Sequence, residues 1–463
     1  MVDPALLSDV LKKVLIHGGE YADIFVEQKR LTSLHLEDGR IEKVFSGIDC
    51  GVGIRLISRG RTAYGFSNDF SRIALVDLAA ALSKTFSLGT ATNIHLDLKR
   101  ERPKIDFAIA MLPDNVPTEK KIQLVKSADR TARSFDNRIK QVTVTYRDSA
   151  QSVQIATSDN VIAEDERIHT VSAVHVITTD GRLVQTGYEA EGGSVGFELF
   201  DSVSLDALSL RAARRAILML TSRKAPGGRM PIVISSEAGG TMIHEAIGHG
   251  LEADLAQQGL SVYSHKMGSE VASKLVTVLD DSTLPGKRGS FRFDDEGIPS
   301  GRTTLVDRGV LVGYLFDRLT AMRDGVRPTG NGRRESYHHR PIPRMTNTFI
   351  APGDSSPDEV TGSTQRGLFV RKMGGGQVNT VTGDFVFAVQ EGYLIENGQI
   401  GDAVRGATLT GNGPDVLRSI DMVASDLGFS IGTCGKDSQG VPVSDAMPTL
   451  RVAEMVVGGA VDL

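Results

Sequence analysis

Two histidines flank a glutamate within six residues, His244-Glu245-Ala246-Ile247-Gly248-His249, just after a predicted strand at residues 230–234. Neutral imidazoles bind zinc well, and a carboxylate beside a metal can take a proton from bound water. A chain with this motif must fold so that both imidazoles reach one point. The motif therefore predicts a metal-dependent hydrolase of the HExxxH type; the alternative is that both histidines are ordinary core or capping residues.

The spacing of the two histidines limits the local backbone. His244 and His249 are five positions apart, and at about 100° per residue they would lie roughly 140° apart around an ideal helix. Convergence requires a π-bulge or a helix that ends after the first histidine. Gly248 and Gly250 flank His249, and glycine permits either distortion.

The residues alone leave the third metal ligand open. Glu252 and Asp254 follow His249 closely, and either could reach a metal or orient an imidazole. Cys434 is another candidate because a thiolate is an excellent zinc ligand, although a buried structural thiol is its ordinary role. Cys50 is interpreted as such a structural thiol. A thiolate with imidazoles favours zinc without excluding iron.

Composition excludes several other classes of protein. The net charge is −5, and no lysine- or arginine-rich block provides a nucleic-acid footprint. The apolar runs are far shorter than the roughly 20 residues of a membrane-spanning helix. With only two cysteines and no basic-then-apolar leader after Met1, we expect a cytoplasmic protein.

The 463 residues are too many for one ordinary core. We predict an α+β protein, in which an N-terminal α/β region of helices and hairpins precedes a C-terminal domain built on an extensive antiparallel β-sheet. The predicted divisions are an N-terminal α/β subdomain at 1–98, a middle α/β subdomain at 112–225 and a C-terminal metallopeptidase domain at 228–463. Asp38-Gly39 and Asp180-Gly181 predict tight hairpins in the first two.

The chain resembles the TldD/PmbA family of metallopeptidases, once called gyrase modulators. The resemblance rests on four stretches of the C-terminal half: 244–254 (His-Glu-Ala-Ile-Gly-His-Gly-Leu-Glu-Ala-Asp), 294–297 (Asp-Asp-Glu-Gly), 332–337 running into 343–348, and 434–436 (Cys-Gly-Lys). The family contains catalytic members with the histidine–glutamate motif and partner members without it. This chain resembles the catalytic type.

The resemblance implies one zinc per chain, bound by His244, His249 and Cys434, with Glu245 as general base. It also implies peptidase action on unfolded or flexible peptides. Members form dimers, so the partner is expected to be a second copy or a non-catalytic paralogue; no nucleic-acid or membrane partner is expected.

We expect the metal to polarise a water and the substrate carbonyl while Glu245 accepts the water's proton. His339 is the candidate partner for the developing oxyanion, and its alternative role is a surface or structural histidine. Gly374-Gly375-Gly376 lacks the Lys-Ser/Thr of a phosphate loop, so no nucleotide site is predicted there. The competing functions are a non-enzymatic regulator that binds a partner protein and a metal-dependent hydrolase of small amides.

Overall fold

The computed structural model of the protein describes residues 1–86 and 94–459. Within these residues, one large sheet with helices forms the N-terminal half, and two large, mostly antiparallel sheets dominate the C-terminal half. The predicted α+β class is confirmed. The predicted regions 1–98 and 228–463 also include residues 87–93 and 460–463, which lie outside the described residues.

The N-terminal half alternates helices with long strands. Its helices are α1 (Pro4–Leu15), α2 (Arg72–Ser83), α3 (Thr118–Phe135), α4 (Leu199–Ser202) and α5 (Leu205–Thr221). Its strands are β1 (Tyr21–Glu37), β2 (Arg40–Ser58), β3 (Arg61–Ser67), β4 (Lys99–Arg100), β5 (Ile139–Thr157), β6 (Val161–Thr179) and β7 (Val184–Gly193).

These strands form one sheet in the order β3-β2-β1-β5-β6-β4, with β7 also paired to β6. Strand β1 runs antiparallel to β5 from the pair Asp23–Thr157 to the pair Glu37–Thr143. The predicted regions 1–98 and 112–225 therefore share one sheet. Asp38 and Gly39 join β1 to β2, and both have the positive φ angles, 50° and 75°, that a two-residue hairpin loop favours.

The sheet has two chemically different faces because side chains alternate along a strand. Val144 and Tyr146 of β5 and Val174 and Val176 of β6 are buried in the core that includes residues of α3 and α5. Their odd-numbered neighbours point to the opposite face, which is turned towards the C-terminal half. The sheet is thus both a core element and a wall between the two halves.

The C-terminal half is built mainly from short strands. They are β8 (Arg223–Lys224), β9 (Gly228–Ile234), β10 (Val278–Asp281), β11 (Arg302–Asp307), β12 (Val310–Leu311), β13 (Gly332–Arg333), β14 (Ile342–Pro343), β15 (Asn347–Ile350), β16 (Arg366–Val378), β17 (Asp384–Glu396), β18 (Gln399–Arg405), β19 (Thr408–Asn412), β20 (Ile420–Val423), β21 (Gly428–Lys436), β22 (Gln439–Met447) and β23 (Leu450–Gly458). Its α-helices are α6 (Thr241–Ile243), α7 (Ala253–Gln257), α8 (Arg318–Asp324), α9 (Pro357–Gly362) and α10 (Gly413–Arg418).

Two sheets of this half enclose its core. One has the order β12-β11-β10-β15-β22-β21, which leaves β21 at an edge. In the other, β16 pairs with both β9 and β17, so the strands β16-β9-β23-β19-β17 close a ring. The segment that follows β9 is packed in the core between these sheets. In the described part of the chain, every helix is too short or too polar to cross a membrane.

Candidate metal centre

The helical segment after β9 changes its winding at the histidine motif. Helix α6 continues into a π-helical turn, His244–Gly248, and then a 3₁₀ turn, His249–Leu251. The N–H of His249 donates to the carbonyl of His244, five residues earlier. The two imidazole centroids are therefore only 4.9 Å apart, where an ideal helix would turn them away from each other. This is one of the two distortions that the five-residue spacing predicted.

Two glycines allow the segment to pack this closely. A Cβ on Gly248 would lie 2.2 Å from the sulfur of Met345. A Cβ on Gly240, at the start of α6, would lie 2.2 Å from the backbone nitrogen of Ala446 in β22. The absence of these side chains lets the motif rest directly on the neighbouring strands.

Cys434 reaches the same point from strand β21. Its sulfur is 3.6 Å from Nε2 of His249, and donor atoms of His244, His249 and Cys434 all lie within 4.8 Å of one another. Cys434 is only 2% exposed. Among the described residues, this is the one group of three or more histidine, cysteine or acidic side chains that could hold a metal ion. Cys50 is half-buried on β2 of the N-terminal sheet and belongs to no such group.

A carboxylate holds the far side of each imidazole. Nδ1 of His244 is 2.8 Å from Oδ1 of Asp445, and Nδ1 of His249 is 3.0 Å from Oε2 of Glu252. Because an ionised carboxylate can only accept, each Nδ1 donates, and each Nε2 is the nitrogen that can bind a metal once it has released its proton. Asp254 accepts a hydrogen bond from Lys436 instead, at 2.7 Å. Of the two acidic candidates, Glu252 therefore orients an imidazole.

Glu252 is fully buried among positive charges. Lys436 Nζ lies 3.1 Å from it, and Arg344 Nε lies 3.9 Å from it. Burial raises the pKa of Glu252, but Lys436, His249 and Arg344 together lower that pKa to about 2. The side chain is therefore an ionised acceptor at neutral pH. Arg344 also donates a hydrogen bond to the carbonyl of Cys434, which ties the strand to the same group.

The Cys434 thiol lies in an environment that favours its ionised form. Burial raises the pKa of this thiol, but hydrogen bonds and charges from His244 and His249 outweigh burial and lower the pKa to about 6. The thiolate is the form that binds metals. Two imidazoles and a thiolate with supported orientations make a donor set that zinc accepts.

The two candidate catalytic side chains differ in their surroundings. Glu245 is half-buried within the π-helical turn, and in the described residues its carboxylate has no hydrogen-bond or ion-pair partner. His339 lies in a turn where its Nδ1 is 3.4 Å from the Ser336 hydroxyl and its ring contacts His338. Within residues 1–86 and 94–459, no hydrogen bond joins His339 to His244, His249 or Cys434.

Asp445 is the supporting residue that the sequence did not indicate. It lies 201 positions from His244 and belongs to none of the motifs. It reaches the site because β22 pairs with β21, in the register that places Asp445 opposite Ser430. The register of β22 on β21 cannot be predicted from the local sequence around Asp445.

Models of one protein family match the chain in three places. The matches are PmbA/TldA metallopeptidase domain 1 at residues 22–86, the central domain at 112–220 and the C-terminal domain at 227–459. A Haemophilus influenzae protein named Metalloprotease TldD homolog is 37% identical over 95% of this chain and 93% of its own length. A Methanothermobacter thermautotrophicus protein named Metalloprotease is 35% identical over 98% of both chains.

Solved structures share the fold at lower sequence identity. TldE from Thermococcus kodakarensis superposes with a TM-score of 0.78 at 16% identity, covering 98% of this chain and all of that one. A Thermotoga maritima protein described as a candidate modulator of a DNA gyrase superposes with a TM-score of 0.79 at 22% identity. It covers 95% of this chain and 96% of its own.

Proposed function

The chain belongs to the PmbA/TldD metallopeptidase family, and from that premise we propose that it is a zinc-dependent peptidase of the HExxxH type. The observation that carries the proposal is the convergence of His244, His249 and Cys434 within 4.8 Å. Imidazole and thiolate ligands suit zinc, although iron binds similar sets. A relative from Saccharolobus solfataricus, 27% identical over 97% of this chain and 99% of its own length, is named a zinc metalloprotease.

When bound, zinc would supply Lewis acidity to a water and to the scissile carbonyl. Glu245 acts as the general base, accepting the proton of the attacking water and delivering it to the leaving amine. Its carboxylate makes no competing hydrogen bond in the described residues, which supports this role. Asp445 and Glu252 keep the two imidazoles oriented through their Nδ1 atoms.

The substrate class is an unfolded or flexible peptide, and the working location is the cytoplasm. The chain acts as a dimer, either with a second copy or with a non-catalytic paralogue. The similarity in fold to TldE agrees with a family that includes such relatives. A non-enzymatic regulator is the alternative function. The half-buried Glu245, which has no hydrogen-bond partner in residues 1–86 and 94–459, favours the enzyme, because a protein that only binds does not need a free carboxylate next to His244.

The proposal is tested by measuring the metal content and the proteolytic activity of the same protein preparations. The purified protein is compared with Glu245→Gln and with a control, Glu237→Gln, which changes an exposed glutamate eight positions upstream. We expect about one zinc in each of the three proteins. Hydrolysis of an unfolded polypeptide should fall by about 10²-fold or more only in Glu245→Gln.

Small amides are assayed beside the polypeptide to separate a peptidase from an amidase. Equal metal and equal hydrolysis in all three proteins would remove Glu245 from the mechanism. Absence of both metal and hydrolysis, even with a candidate partner chain added, would favour the regulator.

A further inference from the structure

A cavity of about 580 Å³ lies between the N-terminal sheet and the C-terminal half. Strands β1, β5, β6 and β7 form its floor, and residues 288–291, 333–335 and 431–442 contribute to its roof. None of His244, Glu245, His249 and Cys434 lines it. Its volume is in the range of small-molecule sites in proteins.

The floor of the cavity is polar where a covered sheet face would ordinarily be apolar. On the helix-covered face, β5 presents Val144 and Tyr146. On the cavity face the same strand presents Arg147, and β6 presents Arg167 and His169. A face that served only to join two domains would gain more from apolar side chains. The polarity therefore indicates a function for the space itself.

Positive charge predominates on the cavity wall. Its six cationic side chains, against three carboxylates, leave an excess of three positive charges; the cations are Lys29, Arg147, Arg167, Arg288, Arg333 and Arg334, and the carboxylates are Asp148, Asp295 and Glu335.

The three carboxylates are already engaged. Asp148 accepts hydrogen bonds from Lys121, which is outside the cavity wall, at 2.5 Å and from a tyrosine hydroxyl at 2.6 Å. Asp295 accepts from Arg167 at 2.6 Å. Glu335 accepts from a backbone N–H of β22 at 2.6 Å. The charge of Asp295 also favours the ionised form of Arg333, but no hydrogen bond joins the two side chains in the described residues.

Four of the cations form no ion pair with any carboxylate in residues 1–86 and 94–459. They are Lys29, Arg147, Arg288 and Arg333. Arg288 donates to the Gly432 carbonyl and, at 3.1 Å, to the Thr433 hydroxyl, while its Nε is buried without a partner. Within the same residues, Arg333 donates to two backbone carbonyls, those of Met345 and Pro442.

Arg333 is buried, Arg288 and Lys29 are half-buried and Arg147 is exposed, so the lack of a counter-ion is unfavourable mainly at Arg333 and Arg288. Burial, together with the charge of Arg147, lowers the pKa of Arg288 to about 10. Burial also lowers the pKa of Arg333 to about 10. A bound anion would offset this cost, and arginine forks match phosphate and carboxylate oxygens in geometry.

We propose that this interdomain cavity binds a small molecule that carries two or more oxyanion groups, either phosphates or carboxylates. Arg147 and Arg288 contact these groups directly, and Lys29 adds a third positive charge. The site does not depend on peptidase activity or on the identity of the metal. It would give the protein a ligand distinct from a peptide.

The proposal is tested by isothermal titration calorimetry on the full-length protein as purified, with two probes. Fructose 1,6-bisphosphate represents phosphate ligands, and benzene-1,3,5-tricarboxylate represents carboxylate ligands; metal content is measured before and after to exclude chelation. We expect one site per chain for at least one probe, with affinity that falls as salt is raised. The tighter probe identifies the type of oxyanion.

Matched variants locate the binding. Arg288→Gln and Arg147→Gln should each weaken the tighter probe by about tenfold, since each removes a charge-assisted contact. Arg308→Gln changes an arginine that is 82% exposed and outside the cavity, so it should bind as the unaltered protein does. If Arg288→Gln proves unfolded by circular dichroism, Lys29→Gln replaces it in the comparison. The proposal is overturned by failure of both probes to bind at millimolar concentration, or by binding that the cavity variants leave unchanged.

Discussion

His244 and Asp445 are joined by a 2.8 Å hydrogen bond, although 201 positions separate them in the chain. Each side chain is only 8% exposed, so water competes little for either atom. The carboxylate fixes the tautomer of the imidazole and the direction of its free nitrogen. Asp445 is therefore a positioning residue for the candidate metal centre.

Replacing Asp445 should weaken metal binding without abolishing the site. We expect Asp445→Asn to lower zinc affinity by about 10- to 100-fold, because the imidazole loses its charged acceptor. Competition with a chromophoric chelator measures the affinity. Asp421→Asn is the control, since Asp421 pairs with Arg451 on the surface. Equal affinities in the two variants would show that Asp445 does not support the ligand.

The two cysteines provide a matched pair for metal removal. A metal bound only by the folded protein stabilises it, so a chelator should lower the melting temperature of the unaltered protein. Cys50→Ser should behave in the same way, because Cys50 lies on the N-terminal sheet. Cys434→Ser should already melt at the lower temperature and respond little to the chelator. If the chelator lowers the melting temperature of Cys434→Ser as much as it lowers that of the unaltered protein, Cys434 is not a metal ligand.

Local patterns predicted much of the fold. The Asp38-Gly39 hairpin and the α+β class follow from turn chemistry and periodicity, which act over a few residues. The five-residue spacing of the histidines also predicted a distorted helix, because an ideal helix cannot bring both rings together. These features needed no knowledge of distant pairing.

Long-range pairing was beyond the reach of those patterns. The register of β1 on β5, which unites the first two predicted regions in one sheet, depends on contacts more than a hundred residues apart. The same is true of Asp445. Glu252 is a different case, because it lies only three residues from His249 and the sequence left open whether it reaches a metal or orients an imidazole. Only the folded chain decides that Glu252 meets Nδ1 of His249.

His339 can be tested against its immediate neighbour. If His339 stabilises the oxyanion, His339→Ala should lower kcat on an unfolded polypeptide by about 10²- to 10³-fold with unchanged zinc content. His338→Ala is the control because His338 is exposed and contacts Phe66 of the N-terminal sheet. Equal activity in the two variants would leave His339 with a structural role only.

Arg55 joins the two halves of the molecule through buried charges. Its Nε donates to Asp23 of β1 at 2.7 Å, and its Nη2 donates to Glu296 of the C-terminal half at 2.7 Å. Arg55 is 1% exposed and both carboxylates are fully buried. Burial raises the pKa of Glu296, and the charge of Arg55 opposes that rise.

Arg55→Met should therefore destabilise the protein by about 3–5 kcal/mol, because two buried carboxyl groups lose their cation. Arg72→Met, which breaks an exposed pair with Asp9, should cost less than about 1 kcal/mol.

The cost of Arg55→Met should also depend on pH. With its pKa further above the ordinary 4.5, Glu296 keeps its proton in the folded state while the unfolded chain loses it. Because the pKa of Glu296 is already raised to about 8 in the unaltered protein, the two proteins diverge only as pH rises through that value, so urea unfolding should show a larger deficit at about pH 9.5 than at about pH 6. A deficit that is the same at both pH values would mean that the loss comes from packing around Arg55 and not from its charge.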